Sequence, residues 1–231
     1  MLVRCGPGAV VAEVQEKVSG HDLFYPPDPS SKNFCTIGGN IACNAGGLRC
    51  VKYGVTRDYV LSLSGFLPTG EKVRWGRETR KFATGYNIRD LWIGSEGTLG
   101  VVSEVILRLI RRPKERKTFL AAFRSDAEAL RAPVELSRLG LCPSILEFLD
   151  LWTVKCVQEF TGRDVFQGLE PHPVILIELD GDSFSVEKDA LELNAWLEEN
   201  SVRSEMAENS EEAEYLWDVR RKCSPAMKKL A

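Results

Sequence analysis

The sequence predicts an α+β protein of two domains, and three observations carry that expectation. β-rich runs recur along the chain with helical-period segments between them. The basic, proline-bearing stretch Arg111-Arg112-Pro113-Lys114-Glu115-Arg116-Lys117 falls near the middle and reads as a solvated boundary, so the expected domains are 1–112 and 113–231. The chain's 231 residues, 44% of them hydrophobic, suffice for one large core or two small ones. An anionic partner is the other use of such a basic stretch, but a net charge of −3, from 30 basic and 33 acidic side chains, lends it no support.

Taken in order, residues 1–5 read as a strand. Residues 8–19 read as a helix, because Val10, Val11, Val14 and Val18 recur at helical spacing and Gly20 suits the position past its end. Tyr25-Pro26-Pro27-Asp28-Pro29-Ser30-Ser31 fits neither period. Its prolines fix φ and remove amide donors, which gives a rigid extended loop, able to stand beside a flat group or simply to connect. Residues 36–47 hold two glycine pairs around small residues. Residues 59–67 and 71–75 are strands joined by Pro68-Thr69-Gly70, and 87–93 allow one or two helical turns. Over 98–110, Leu99, Val101, Ser103, Val105, Leu107 and Leu109 alternate with Val102, Glu104, Ile106 and Arg108, the pattern of a strand with at least one buried face. In the second half, 118–123, 144–149 and 173–179 are strands and helices fit 150–160 and 184–199. Ser125 with Glu128 marks a capped helix start, and Ser210-Glu211-Glu212 opens a helix over 210–230. This alternation predicts a small ferredoxin-like α+β domain.

Several function classes are set aside. The charge balance argues against a nucleic-acid partner. No apolar run approaches the roughly 20 residues that span a bilayer, so no transmembrane segment is expected. Met1 to Pro7 lacks the features of a signal peptide, and the seven cysteines are odd in number with no C-x-x-C pair. Reduced thiols in a cytoplasmic chain fit this usage; the spacings do not support a metal or iron–sulfur site. His21 and His172 stand far apart beside Gly20 and between two prolines, as loop or surface residues, so neither a metal pair nor a histidine-based triad is expected.

Three segments are able to carry chemistry. Thr36-Ile37-Gly38-Gly39-Asn40-Ile41-Ala42-Cys43-Asn44-Ala45-Gly46-Gly47 lets backbone amides approach a ligand without a Cβ in the way, or lets the chain turn tightly. It matches neither the dinucleotide fingerprint nor the P-loop. Gly94-Ser95-Glu96-Gly97-Thr98-Leu99-Gly100 curls before a strand, where Glu96 is suited to a ribose or to capping. On a helix, Arg220 and Ser224 share one face, a fork and hydroxyl matching a carboxylate, or else part of a solvated basic face.

The order of the Pro27-Asp28-Pro29-Ser30-Ser31 loop and the 36–47 and 94–100 blocks, with Tyr53-Gly54 and Thr84-Gly85-Tyr86-Asn87 between the two blocks, resembles the vanillyl-alcohol-oxidase type of FAD-linked oxidase, with a PCMH-type FAD-binding domain. Within that family the chain is most similar to the glycolate oxidases and D-lactate dehydrogenases. The likeness is strong to about residue 112, weaker after it, and sharp again from Trp217 to Ala226.

The resemblance implies that 1–112 is the later portion of the FAD-binding domain and 113–231 an incomplete substrate-binding cap. It implies FAD contacts from Pro27, Asp28, Pro29 and Ser30; from Thr36, Ile37, Gly38, Gly39 and Ala42; from Asn44, Ala45, Gly46 and Gly47; and from Glu96, Gly100 and Val101. It places Arg220 on the substrate carboxylate, with Ser224 beside it. The implied activity is oxidation of a 2-hydroxy acid of glycolate or D-lactate type to the 2-oxo acid, hydride passing to the flavin. The family's upstream phosphate-binding loop and its later histidine cluster, which supplies metal ligands and the base, are not found here. A fragment is therefore expected, with no catalytic base or metal ligand in the chain, weak FAD retention and little turnover alone. The implied partners are a small 2-hydroxy acid and an electron acceptor or electron-transfer subunit, through which a cytoplasmic chain associates with a membrane. The alternatives are a non-catalytic truncated subunit or pseudoenzyme, and an FAD oxidase of another alcohol.

Overall fold

The computed structural model describes residues 1–79 and 81–230; Arg80, and Ala231 at the end of the 113–231 stretch, lie outside the described residues. The chain separates into two compact units, Met1–Arg112 and Pro113–Ala231.

The first unit runs β1 (Leu2–Cys5), α1 (Val11–Ser19), β2 (Leu23–Phe24), α2 (Ile37–Cys43), α3 (Cys50–Tyr53), a 3-10 turn at Thr56–Asp58, β3 (Val60–Phe66), β4 (Lys72–Gly76), α4 (Ile88–Trp92), β5 (Val101–Arg108) and β6 (Ile110–Arg111). Four strands form an antiparallel sheet in the order β1-β5-β3-β4, and β2 pairs with β6. α1 buries Val11, Val14 and Val18, the valines whose spacing predicts it. They join Tyr25, Ile37, Ile41, Leu63, Val105 and Leu107 in one core.

The reading of 98–110 is corrected here. The single alternating stripe predicted for 98–110 breaks at Ser103. Glu104 faces Ser64 and Val102 faces Gly65, so β5 carries one extra residue, stitched by Ser103 Oγ donating to Ser64 O at 3.2 Å. Such a bulge shifts the side-chain period. Val102 and Val105 therefore both reach the core while Val101 is 70% exposed. The glycine-rich 37–43 segment, for which no element is predicted, is a short helix. Local preference opposes helix there, and tertiary bonds hold it instead: Ile37 N donates to Ala9 O at 2.9 Å and Gly38 N to Pro7 O at 2.8 Å.

The second unit runs β7 (Glu115–Ala122), α5 (Asp126–Arg138), β8 (Ile145–Leu149), α6 (Leu151–Thr161), β9 (Val174–Gly181), α7 (Ser183–Asn200), β10 (Arg203–Met206) and α8 (Ser210–Leu230). Its antiparallel sheet has the order β10-β7-β9-β8, which is 4-1-3-2 within the unit, the ferredoxin-like order, with α6 inserted and α8 appended. α5 and α7 cover Phe119, Ala121, Ile175, Ile177 and Leu179 on one face. α6 and α8 cover Leu120, Ala122, Leu149, Val174 and Leu176 on the other. The solvated run predicted to reach Lys117 is shorter, because Glu115, Arg116 and Lys117 pair with Gly181, Asp180 and Leu179 as the first rungs of β7. Ser125 Oγ accepts from Glu128 N at 3.3 Å as the capping signature predicts, whereas Glu128 reaches back to Arg124 N at 3.2 Å. No described helix is long and apolar enough to cross a membrane.

Candidate functional site

The two glycine blocks of the first unit are bonded to one another. Gly94 N donates to Ile41 O and Glu96 N to Ala42 O, each at 2.8 Å, so the 94–100 loop hangs from the last carbonyls of α2. Gly94 and Gly97 have φ of 88° and 76°, open to glycine; Glu96 holds 53° without that freedom. A non-glycine residue kept there costs energy and marks a loop whose course the surroundings impose.

The loop and the helix bound a cleft of about 220 Å³. On one side stand Pro7, Gly38, Ile41 and Ala42; on the other stand Trp92, Ser95, Gly97 and Gly100, with Val101 and Val102 beyond. Gly38, Ala42, Gly100 and Val101 are thus brought together from two distant stretches. Pro7, Ile41, Trp92, Ser95, Gly97 and Val102 also line the cleft, although the sequence marks none of them as a ligand. Ser95 and Gly97 lie within the second glycine block, while Pro7 has only its flanking glycines as a signal.

The other sequence-derived candidates support this cleft or sit away from its lining. Thr36 caps α2, its Oγ1 accepting from Gly39 N at 3.2 Å. Ile37 is a core residue with 0% exposure. Asn44, in the left-handed conformation at the end of α2, accepts from Arg57 N at 3.0 Å through Oδ1. Ala45 O accepts from Thr56 Oγ1 at 2.7 Å. The proline loop is latched: Pro27 O accepts from Gln15 Nε2 at 3.1 Å, and the buried Asp28 is ion-paired to Arg49. A Cβ on Gly47 would lie 2.4 Å from Asp28 O, and one on Gly46 would lie 3.1 Å from Cys50 Sγ. Pro29 and Ser30 follow on the outer side of the latch, Ser30 exposed.

This alters the physical reason for the glycines. The amides of 37–40 are committed to Ala9 O, Pro7 O, Thr36 Oγ1 and Thr36 O. What the small residues provide is close approach. A Cβ on Gly38 would meet Pro7 Cβ at 2.8 Å, and one on Gly100 would meet Phe66 O at 2.4 Å and the Trp92 ring at 2.6 Å. Each wall of the slot is thereby tightly packed on its own side.

Burial governs the titrating groups around this unit. It pushes the Cys5 thiol up to about 11 and raises the Tyr25 and Tyr59 phenols. The Cys50 thiol is raised chiefly by burial, although its Sγ accepts from Gly47 N at 2.9 Å.

The cleft fits one portion of a flavin dinucleotide. Small-molecule sites usually enclose about 300–1,000 Å³, and 220 Å³ falls short of that range. Its lining is mostly apolar and glycine-rich, suited to a flat ring or ribose passing between close walls.

In the second unit, α8 carries Arg220 and Ser224. Arg220 Nε donates to Glu147 Oε2 on β8 at 2.5 Å; the two side chains are 38% and 21% exposed. Ser224 is exposed one turn further on. A separate hollow of about 360 Å³ between α6 and α8 includes neither residue. Of its charged groups, Lys222 pairs with Asp218 at 3.9 Å and Asp164 accepts from Gly168 N at 3.2 Å.

Residues 1–76 match the profile of an FAD binding domain, and residues 112–231 match that of the FAD linked oxidases, C-terminal domain. The chain is 38% identical to glycolate oxidase subunit GlcD of Bacillus subtilis (strain 168) over 97% of its length and 47% of that protein's. It is 36% identical to D-lactate dehydrogenase of Anaerostipes hadrus, covering 83% of this chain and 41% of that one. Its fold is similar to that of an alkyldihydroxyacetonephosphate synthase, with a TM-score of 0.75 at 20% identity, covering all of this chain and 43% of the other. The chain spans about half the length of the curated relatives it matches.

Proposed function

Because this chain belongs to the FAD-linked oxidases, we propose that it serves an enzyme that oxidises a 2-hydroxy acid, of glycolate or D-lactate type, to the 2-oxo acid. The observation that carries the reading is the cleft shared by α2 and the 94–100 loop. FAD, when bound, supplies the two-electron acceptor for the hydride. Gly38, Ala42, Gly100 and Val101 form the walls for part of the dinucleotide, and the Asp28–Arg49 latch fixes the proline loop near the Gly46-Gly47 turn. The slot's volume supports the view that this chain alone retains FAD weakly and turns over little.

Arg220 is assigned to the substrate carboxylate, with Ser224 as a neighbouring hydroxyl. A guanidinium fork recognises a planar carboxylate through two parallel hydrogen bonds and so orients the hydroxyl-bearing carbon. No residue of this chain is assigned the proton of that hydroxyl. Electrons leave to an acceptor or an electron-transfer subunit, and the protein works in the cytoplasm.

Arg220→Ala in the FAD-loaded holoenzyme tests the assignment. The expected result is a rise in KM for glycolate and D-lactate of about tenfold or more, with a lower kcat. KM and kcat both at wild-type values would remove Arg220, and with it the preference for an acid, from the proposal.

A further inference from the structure

The pairing of Arg220 with Glu147 assigns a second residue to the carboxylate site, and this rests on the function proposed above. α8 buries Leu216, Cys223 and Ala226 against the sheet. Residue 220 lies four after Leu216 and three before Cys223, so an arginine occupies the inward stripe of an otherwise apolar face. On the sheet below, Glu147 faces Leu176 across the β8–β9 pair. Leu176 and the nearby Leu149 both pack under α6 and α8, which places Glu147 on the same face. A partly exposed ion pair therefore stands at matching positions beside that apolar face.

The atom used is informative. Glu147 takes Nε, and no hydrogen bond to Nη1 or Nη2 of Arg220 is found among the described residues. A carboxylate on Nε fixes the rotation of the guanidinium plane and leaves the two-nitrogen edge for another acceptor. The neighbouring acid Asp150 is already engaged, its Oδ1 accepting from Thr153 N at 2.7 Å to cap α6. Glu147 itself sits in a paired strand, so its own position is set by the sheet.

We propose that Glu147 is a positioning residue: its carboxylate holds Arg220 by Nε so that the Nη edge meets the carboxylate of a 2-hydroxy acid. Supporting residues of this kind typically change affinity or activity by about 10- to 100-fold when removed.

The test uses the FAD-loaded holoenzyme, with kcat and KM for D-lactate and calorimetric binding of oxalate as a non-reacting carboxylate probe. Glu147→Met fills the space without an acceptor and is expected to raise KM and the oxalate Kd about tenfold, with a smaller change in kcat. Glu147→Gln keeps an oxygen for Nε and is expected to restore both to within about threefold of wild type. Glu147→Asp withdraws the acceptor by one methylene and is expected to weaken binding, which keeps the test decisive if the methionine variant does not fold. Unchanged oxalate binding in Glu147→Met or Glu147→Asp, or a Glu147→Gln as weak as Glu147→Met, overturns the positioning role. If Arg220→Ala itself leaves oxalate binding unchanged, the carboxylate assignment fails first and this inference falls with it. If Arg220→Ala fails to bind and the Glu147 variants bind normally, only the inference is lost.

Discussion

A thiol surrounded by apolar groups resists ionisation, and Cys5 shows what that does to a residue that composition alone makes one of seven equals. Burial against the β1–β5 core lifts it to about 11, while Cys43 and Cys142 are exposed. The thiolate is the reactive form, so alkylation at pH 8 is expected to label Cys43 and Cys142 before Cys5, as read by peptide mass spectrometry. Equal labelling of Cys5 would contradict its burial. The sign of the pH effect follows from linkage. The folded state holds the proton more tightly than the unfolded chain, whose thiol titrates near the ordinary value of 9.0. This contribution is complete below pH 9 and is lost as pH rises from 9 toward 11. Urea midpoints at pH 8 and pH 10 check it. The same scale shows where sequence reading stops. Asp28 and Arg49 lie 21 residues apart, and nothing local announces that one neutralises the other. Glu147 and Arg220 lie 73 apart, and the only local hint is an arginine on the apolar stripe of its helix.

Elements are legible where period and capping chemistry act locally. The valines of α1, the Pro68-Thr69-Gly70 turn and the Ser125 cap each specify their element from a few neighbouring residues. α2 and β5 are not legible in this way, because their geometry depends on partners. Helix 37–43 exists by virtue of Pro7, Ala9 and the Thr36 cap, and the bulge at Ser103 is a property of the β3–β5 pair. Trp92 ties these features together. A Cβ on Gly65 would lie 2.8 Å from its ring and one on Gly100 2.6 Å, so two bare backbones clamp the indole that forms one wall of the cleft. Gly100→Ala is therefore expected to destabilise the fold by about 1–3 kcal/mol through overpacking and to lower Tm by several degrees. An unchanged Tm would mean that the clamp yields freely.

At the scale of the whole molecule, the strand–helix alternation after residue 113 leads to the ferredoxin-like sheet because each intervening helix returns the chain to the same sheet. The first unit's sheet joins β1 to β5 across about a hundred residues, and no pattern in the sequence states that pairing. Yet the glycine blocks at 36–47 and 94–100 converge on one slot through Ile41 and Ala42. Ala42→Phe in the holoenzyme probes that convergence. The ring would fill the slot from a helix position whose backbone bond to Glu96 is unaffected. The expected result is a loss of bound FAD of about tenfold or more, read from the visible flavin absorbance of the purified protein, with far-UV circular dichroism unchanged. Ala42→Phe protein that still carries one FAD per chain would contradict the account.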